Sequence, residues 1–299
     1  MKEIVIISGK GGTGKTSLVA SFAALAQNAV LADCDVDAAD LHLILTPRVQ
    51  QTHPFSGGKQ ATIIAEKCTG CGKCSELCRF EAISQIPATG TTRQAVYHID
   101  PVACEGCGVC AWFCPDKAID FSDAINGHCY LSDTRYGPMV HAGLGIAQEN
   151  SGKLVTLVRK KAREIAERDG KEFILVDGSP GIGCPVIASI TGADLVLIVT
   201  EPTLSGEHDL KRVAQLVTYF KIPALVCINK YDLNPVISDR IIRDAQQRGS
   251  AIAGKVRYDT VFSTAQSLMQ PVVEIDGSKT AEEVTDIWCT LLDICTSRA

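Results

Sequence analysis

Aromatic residues make up only 5% of this 299-residue sequence, and its 29 lysines and arginines are outnumbered by 34 acidic residues. With a formal charge of -5, a nucleic-acid-binding surface is not expected. Long apolar runs are missing too. A run such as "ADLVLIVT" is far short of a membrane span, so no membrane insertion is expected. The opening "KEIVIIS" reads as an apolar strand and lacks the basic, apolar, small-residue plan of a secretory signal. A cytoplasmic location is therefore expected. In that compartment the 14 cysteines need a purpose other than disulfides.

Eight of them fall into two runs. "CTGCGKCSELC" holds Cys68, Cys71, Cys74 and Cys78, and "CEGCGVCAWFC" holds Cys104, Cys107, Cys110 and Cys114. The second run repeats the first at one constant offset, and "EAI" after the first answers "KAI" after the second, which marks an internal duplication. Cys34, Cys129, Cys184, Cys227, Cys289 and Cys295 stand singly.

Around this unit the chain alternates strands and helices. "EIVIIS", a Gly-rich turn, "SLVASFAALAQ" and "AVLADCD" open it. Residues 48–66 alternate apolar and polar around "SGGK" and predict a hairpin. The connector "DAINGHCYLSDTRYGPMVHAGLG" predicts a further pair of strands or an ordered loop. "KLVTLVRKKAREIAERDG" predicts a helix stopped by Gly170. Strands "EFILVD", "DLVLIVT", "ALVCIN" and "AIAGKV" follow, with helices between them and a last helix from about Thr280. Continuous apolar strands alternating with helices predict an α/β fold, a mostly parallel sheet covered on both faces. The expected domains are a discontinuous nucleotide-binding domain, 1–60 and 128–299, and an insertion, 61–127.

"GKGGTGKT", Gly9 to Thr16, fits G-x-x-x-x-G-K-[ST] between a strand and a helix. Such a loop cradles phosphates on the backbone N–H groups of Gly9, Lys10, Gly11, Gly12, Thr13 and Gly14, with Ser17 opening the helix behind it. Lys15 reaches the outer phosphates and Thr16 ligates Mg2+. The form K-G-G-x-G-K-T resembles the deviant Walker A loop of the MinD/ParA/Mrp superfamily of P-loop ATPases, which includes the nitrogenase iron protein. That resemblance covers the whole α/β portion. It implies ATP and Mg2+ as cofactors, and a nucleotide-sandwich dimer in which Lys10 reaches the phosphates of the facing subunit. It further implies that Asp35, in "DCDVD", positions the attacking water and that Asp177 holds Mg2+ through water. Surface or capping roles are expected for Asp33, Asp37 and Asp40. "INKYD" resembles the base-recognition segment, with Asn229 facing adenine; Asn229 and Asp232 also fit the N-K-x-D pattern that reads guanine, but ATP is preferred on the superfamily's other motifs.

The paired C-x2-C-x2-C-x3-C runs match those of bacterial two-cluster ferredoxins. One [4Fe-4S] cluster is expected on Cys68, Cys71, Cys74 and Cys114, and another on Cys104, Cys107, Cys110 and Cys78. Zinc is the alternative, but zinc sites do not use interlocked fours. Cys184 follows Asp177 by seven positions, a spacing that resembles the nitrogenase iron protein, whose cysteine there ligates a cluster shared by two subunits. By that resemblance Cys184, paired with Cys129, would hold an extra subunit-bridging [4Fe-4S] cluster. The other reading, a small buried cysteine starting a helix, is preferred. Cys34, Cys227, Cys289 and Cys295 are expected to be structural, and His128 and His141 solvated or capping.

These resemblances imply an ATPase, homodimeric or paired with a related ATPase, that gates electron transfer through its own ferredoxin unit to a redox partner protein. The alternatives are an Mrp-like carrier delivering clusters to an accepting protein, or a positioning ATPase like MinD or ParA. The last is disfavoured because "TAEEVTDIWCTLLDICTSRA" has four acidic residues against one basic, unlike a membrane-binding helix.

Overall fold

The computed structural model describes residues 1–86, 96–145, 151–275 and 277–297. The chain divides into two compact units: Met1–His53 with Cys129–Gly143 and Ser151–Ala299, and Pro54–His128 with Leu144–Asn150. Residues 87–95, inside the expected insertion, lie outside the described residues.

Elements are numbered in chain order. The larger unit begins with β1 (Lys2–Ser8), α1 (Lys15–Ala26), β2 (Ala29–Asp33), α2 (Leu41–Leu45) and β3 (Arg48–Phe55). The smaller contains β4 (Gly58–Ile63), α3 (Lys73–Leu77), β5 (Ile83–Ile86), β6 (Val96–Ile99), α4 (Val109–Trp112) and β7 (Ile119–Ala124). The chain then returns through β8 (Gly127–Thr134), β9 (Gly137–Leu144) and α5 (Ser151–Arg168) to β10 (Phe173–Pro180) and α6 (Cys184–Ile190). It finishes with β11 (Leu195–Thr200), α7 (Leu204–Tyr219), β12 (Ala224–Asn229), α8 (Pro235–Gln247), β13 (Ala251–Val256), α9 (Val261–Ser267) and α10 (Lys279–Ser297).

Nine strands form one sheet in the order β13-β12-β11-β1-β10-β2-β9-β8-β3. Every pairing from β13 to β9 is parallel. Parallel strands need helical crossovers, so both faces are covered and the strands are apolar on both. Period two sorts them. Ile4 and Ile6 of β1 join Phe22 of α1, Leu31, Leu175, Leu197 and Trp288 of α10 in one continuous core. Val5 and Ile7, also fully buried, point to the opposite face.

The expected α/β fold with a mostly parallel sheet is what the structure contains. The hairpin expected over 48–66 is not: β3 pairs into the nine-stranded sheet, whereas β4 pairs antiparallel with β7. Alternation identifies strands, but partners are chosen by register and burial with segments far away in sequence. The connector does form two strands, β8 and β9. In the smaller unit β4 and β7 pair from Gly58↔Ala124 to Ile63↔Ile119, and β5 and β6 form a second two-stranded ladder. No helix among the described residues is long and apolar enough to cross a membrane.

Candidate functional site

Adjacent parallel strands bring their carboxyl ends together, and in an open α/β sheet ligands bind there. Here those ends carry the P-loop after β1, Asp33 and Asp35 after β2, Asp177 in β10, Glu201 after β11 and Asn229 at the end of β12. A cleft of about 570 Å3 opens over the loop, lined by Gly11 to Ser17, Asp35, Asp40 and Pro180 among others. That volume is in the range of small-ligand sites.

Lys15 is buried with its ammonium 2.6 Å from Asp177 Oδ1 and 3.3 Å from Asp35 Oδ2. Burial alone would lower its pKa, but the two carboxylates reverse this and raise it. Asp35 is raised chiefly by burial, opposed by Lys15. Among the described residues, two of the four buried polar side-chain atoms without a hydrogen-bond partner lie here: Asp177 Oδ2 and Thr13 Oγ1. Buried polar atoms are normally satisfied, so these two suit a site built for a ligand with its own donors and charges. The P-loop residues, Asp35 and Asp177 are thus brought together at one edge of the sheet.

Asn229, at the end of β12, is held against the phosphate loop. Its Nδ2 donates to Thr13 O at 2.7 Å, against Gly14, whose φ of 89° and close approach leave no room for a side chain. Asp232 Oδ1 accepts from the Tyr258 backbone N–H at 2.7 Å. Lys10 Nζ lies 2.5 Å from Glu201 Oε1 and donates to Ser205 Oγ at 3.1 Å. Lys230 Nζ meets Glu201 Oε2 and Gly12 O, both at 3.1 Å. Beyond lying at strand ends, Glu201 had no signal in the sequence as a partner of Lys10 and Lys230.

Asp33 corrects the expected surface or capping role. It is fully buried, pairs in register with Asp177, and accepts from the Asp35 N–H (3.1 Å) and the Leu41 N–H (3.3 Å). Burial first, and the Asp177 carboxylate second, push its pKa well up. The available signal was its position closing an apolar strand, just as Asp177 does.

Cys184 also corrects a reading. It begins α6 but is exposed, not packed. Cys129, its suggested co-ligand, is 1% exposed in β8, with burial pushing its thiol up to about 11. Only Cys184 is displayed to solvent, so the two do not share an exposed face. Cys34, Cys227 and Cys295 are buried, whereas Cys289 is exposed. His141 is neither solvated nor a cap: it bonds Ser132 Oγ (2.9 Å), stacks on Tyr130, and is lowered to about 4 by burial and His42.

In the smaller unit Cys68, Cys71, Cys74 and Cys114 line one hollow: three thiols of the first run and the last of the second. Cys74, Cys78, Cys104 and Cys110 pack against the apolar cluster of Ala61, Ile83 and Ile99. Gly106 turns the second loop with φ 61°, and a Cβ there would strike the Lys59 carbonyl; Gly70 holds the same place in the first loop with φ 74°. The Ala118 N–H donates to Cys114 Sγ at 3.2 Å. Among the described residues, no three of His, Cys, Asp or Glu group as they would around a metal ion.

The family model of the CobQ/CobB/MinD/ParA nucleotide-binding domain matches residues 4–272. An uncharacterised protein of Methanocaldococcus jannaschii is 32% identical over 237 residues, 78% of this chain and 80% of its own length. The MinD of Pyrococcus horikoshii, solved with Mg-ADP, superposes with a TM-score of 0.59 at 16% identity, covering 100% of this chain and 98% of that one. The cell-division ATPase MinD of Pyrococcus furiosus gives 0.58 at 16% identity, over 98% and 99%. Identities this low speak to the fold alone, but the domain match spans most of the chain and its loop. The chain belongs to the CobQ/CobB/MinD/ParA family of nucleotide-binding domains.

Proposed function

We propose that this protein is a Mg2+-dependent ATPase that dimerises around ATP and couples hydrolysis to electron transfer to a partner protein, by way of two [4Fe-4S] clusters within residues 61–127. The observation that carries the redox half is the hollow shared by Cys68, Cys71, Cys74 and Cys114. Cysteines of both runs lining one hollow are the residue type an interlocked two-cluster unit needs, and the tight glycine turns suit a chain that wraps a cluster. Cys104, Cys107, Cys110 and Cys78 are the second set. When bound, such clusters supply reversible one-electron transfer.

The nucleotide half follows from the residues at the strand ends. Backbone N–H groups of the loop and the start of α1 hold phosphates, and Lys15 leaves Asp177 and Asp35 to neutralise the outer ones. Thr16 and Asp177 would hold Mg2+, which would neutralise phosphate charge. Asp35, freed from Lys15, orients the attacking water. Asn229 and Asp232 border the base, and Lys10 serves the facing subunit, a second copy or a related ATPase.

The test is anaerobic purification with iron and sulfide counting, followed by EPR of the reduced protein with and without Mg-ATP. About eight irons per chain and a spectrum that changes with Mg-ATP are expected. A spectrum indifferent to nucleotide overturns the coupling, and intact transfer of clusters to an apo-protein replaces it with a carrier function.

A further inference from the structure

A second buried charge cluster lies at the other end of β1, where the nucleotide chemistry does not use it. Glu3, near the start of that strand, is 3% exposed and is separated from the phosphate loop by roughly 17 Å of strand. Its Oε1 accepts from Arg159 Nε at 2.6 Å and its Oε2 from Arg163 Nε at 2.8 Å. Arg159, itself 6% exposed, donates from Nη1 to two carbonyls at the end of α6, Ala188 O (2.7 Å) and Thr191 O (2.8 Å). Its Nη2 is buried and has no hydrogen-bond partner. Arg159, Lys160 and Arg163 of α5 line one hollow of about 490 Å3 together with Ala188 and Thr191.

We propose that this hollow binds the oxyanion group, phosphate or carboxylate, of a small molecule. A guanidinium is a rigid fork of donors matched to oxyanions, and buried donors are normally paired. One arm of Arg159 is not. Glu3 balances only one of the two arginines, so the triad keeps one positive charge in excess. Lys160 adds a second cation: its side chain is 72% exposed, and Glu164, which lies 3.5 Å from Lys161, stands 3.9 Å from it. Arg163, partly exposed, presents its guanidinium at the same hollow. The exposed Glu164 and Glu167 also line it, and their charge repels an extended polyanion such as nucleic acid or an acidic membrane. One small anion is what this arrangement admits. Because Arg159 also holds the end of α6, an anion on it tightens α5 against α6. The site belongs to the larger unit alone and does not rest on the ATPase reading.

The test is isothermal titration of the full chain, purified anaerobically and saturated with Mg-ADP to fill the P-loop. Sodium phosphate and sodium succinate are the probes, in separate titrations at matched ionic strength. At least one is expected to bind and to slow amide hydrogen exchange in α5 and α6. K160A is expected to weaken that binding about two- to fivefold. R159K, which keeps the charge but removes Nη2, is expected to weaken it by about ten- to a hundredfold. Should R159K fail to fold, as thermal melting would show, K160A decides. Binding of phosphate alone assigns a phosphorylated ligand, and of succinate alone a carboxylic acid. Binding that K160A leaves unchanged lies elsewhere and overturns the site, as does no binding of either probe.

Discussion

The nucleotide-binding unit buries Phe22, Leu31, Leu175, Trp288 and their neighbours in one continuous apolar core, while the apolar cluster of the cysteine-bearing unit is Ala61, Ile83 and Ile99, ringed by partly buried thiols. A small unit buries too little surface to stabilise itself by the hydrophobic effect and commonly relies on a metal centre instead. A parallel sheet with helices on both faces has no such need. On the proposed function the two units draw on different sources of stability. In one, the site sits on a frame that folds without its ligand; in the other, the proposed ligands are the frame.

The sharpest way to break that contrast is anaerobic chelation of iron. Far-UV circular dichroism with limited proteolysis should show residues 61–127 becoming cleavable while the larger unit keeps its fold and still binds nucleotide, because metal binding free energy is folding free energy in such modules. Survival of the smaller unit would remove the contrast. Next in size is K15Q. It should abolish ATP hydrolysis by about a hundredfold or more. It should also destabilise the nucleotide-free protein by about 3–5 kcal/mol, since Asp177 and Asp35 lose their buried counter-charge. Calorimetry and a phosphate-release assay read the two effects. C114A tests the interlocking itself: iron should fall from about eight to about four per chain, with ATP binding unchanged.

The smallest effect concerns pH. His141, in the larger unit, has its pKa lowered to about 4 in the folded protein, from an unfolded value of 6.5. Between these values the unfolded chain binds the extra proton, so its contribution to stability is full above about pH 6.5 and is lost as pH falls towards 4. H141N should flatten that part of the stability–pH curve, measured by urea unfolding.

Much of both units was legible in the chain because the signals are local. A Gly-rich run between an apolar strand and a helix specifies its own turn, and eight cysteines at one repeated spacing mark a duplicated unit. Asp33 and Asp35 illustrate the limit. They differ by two positions in "DCDVD", yet one is sealed beneath the sheet end and the other borders the cleft, a difference set by where β2 stops relative to β10. Cys184 shows it again. Small and apolar in character, it suited burial, but the start of α6 faces solvent. The 48–66 hairpin misled because β3 and β4 each found a better partner elsewhere.

By itself, the sequence determined the alternation of strand and helix, the phosphate loop and the cysteine runs, since each depends on bonds and periodicities within a few residues. Tertiary structure alone decided which charges meet. Lys15 with Asp177, Lys10 with Glu201 and Asn229 with Thr13 are pairs far apart in the chain. They become neighbours because parallel strands deliver all their carboxyl ends to one edge. Burial there, not residue type, then sets which carboxylate is raised and which lysine is held.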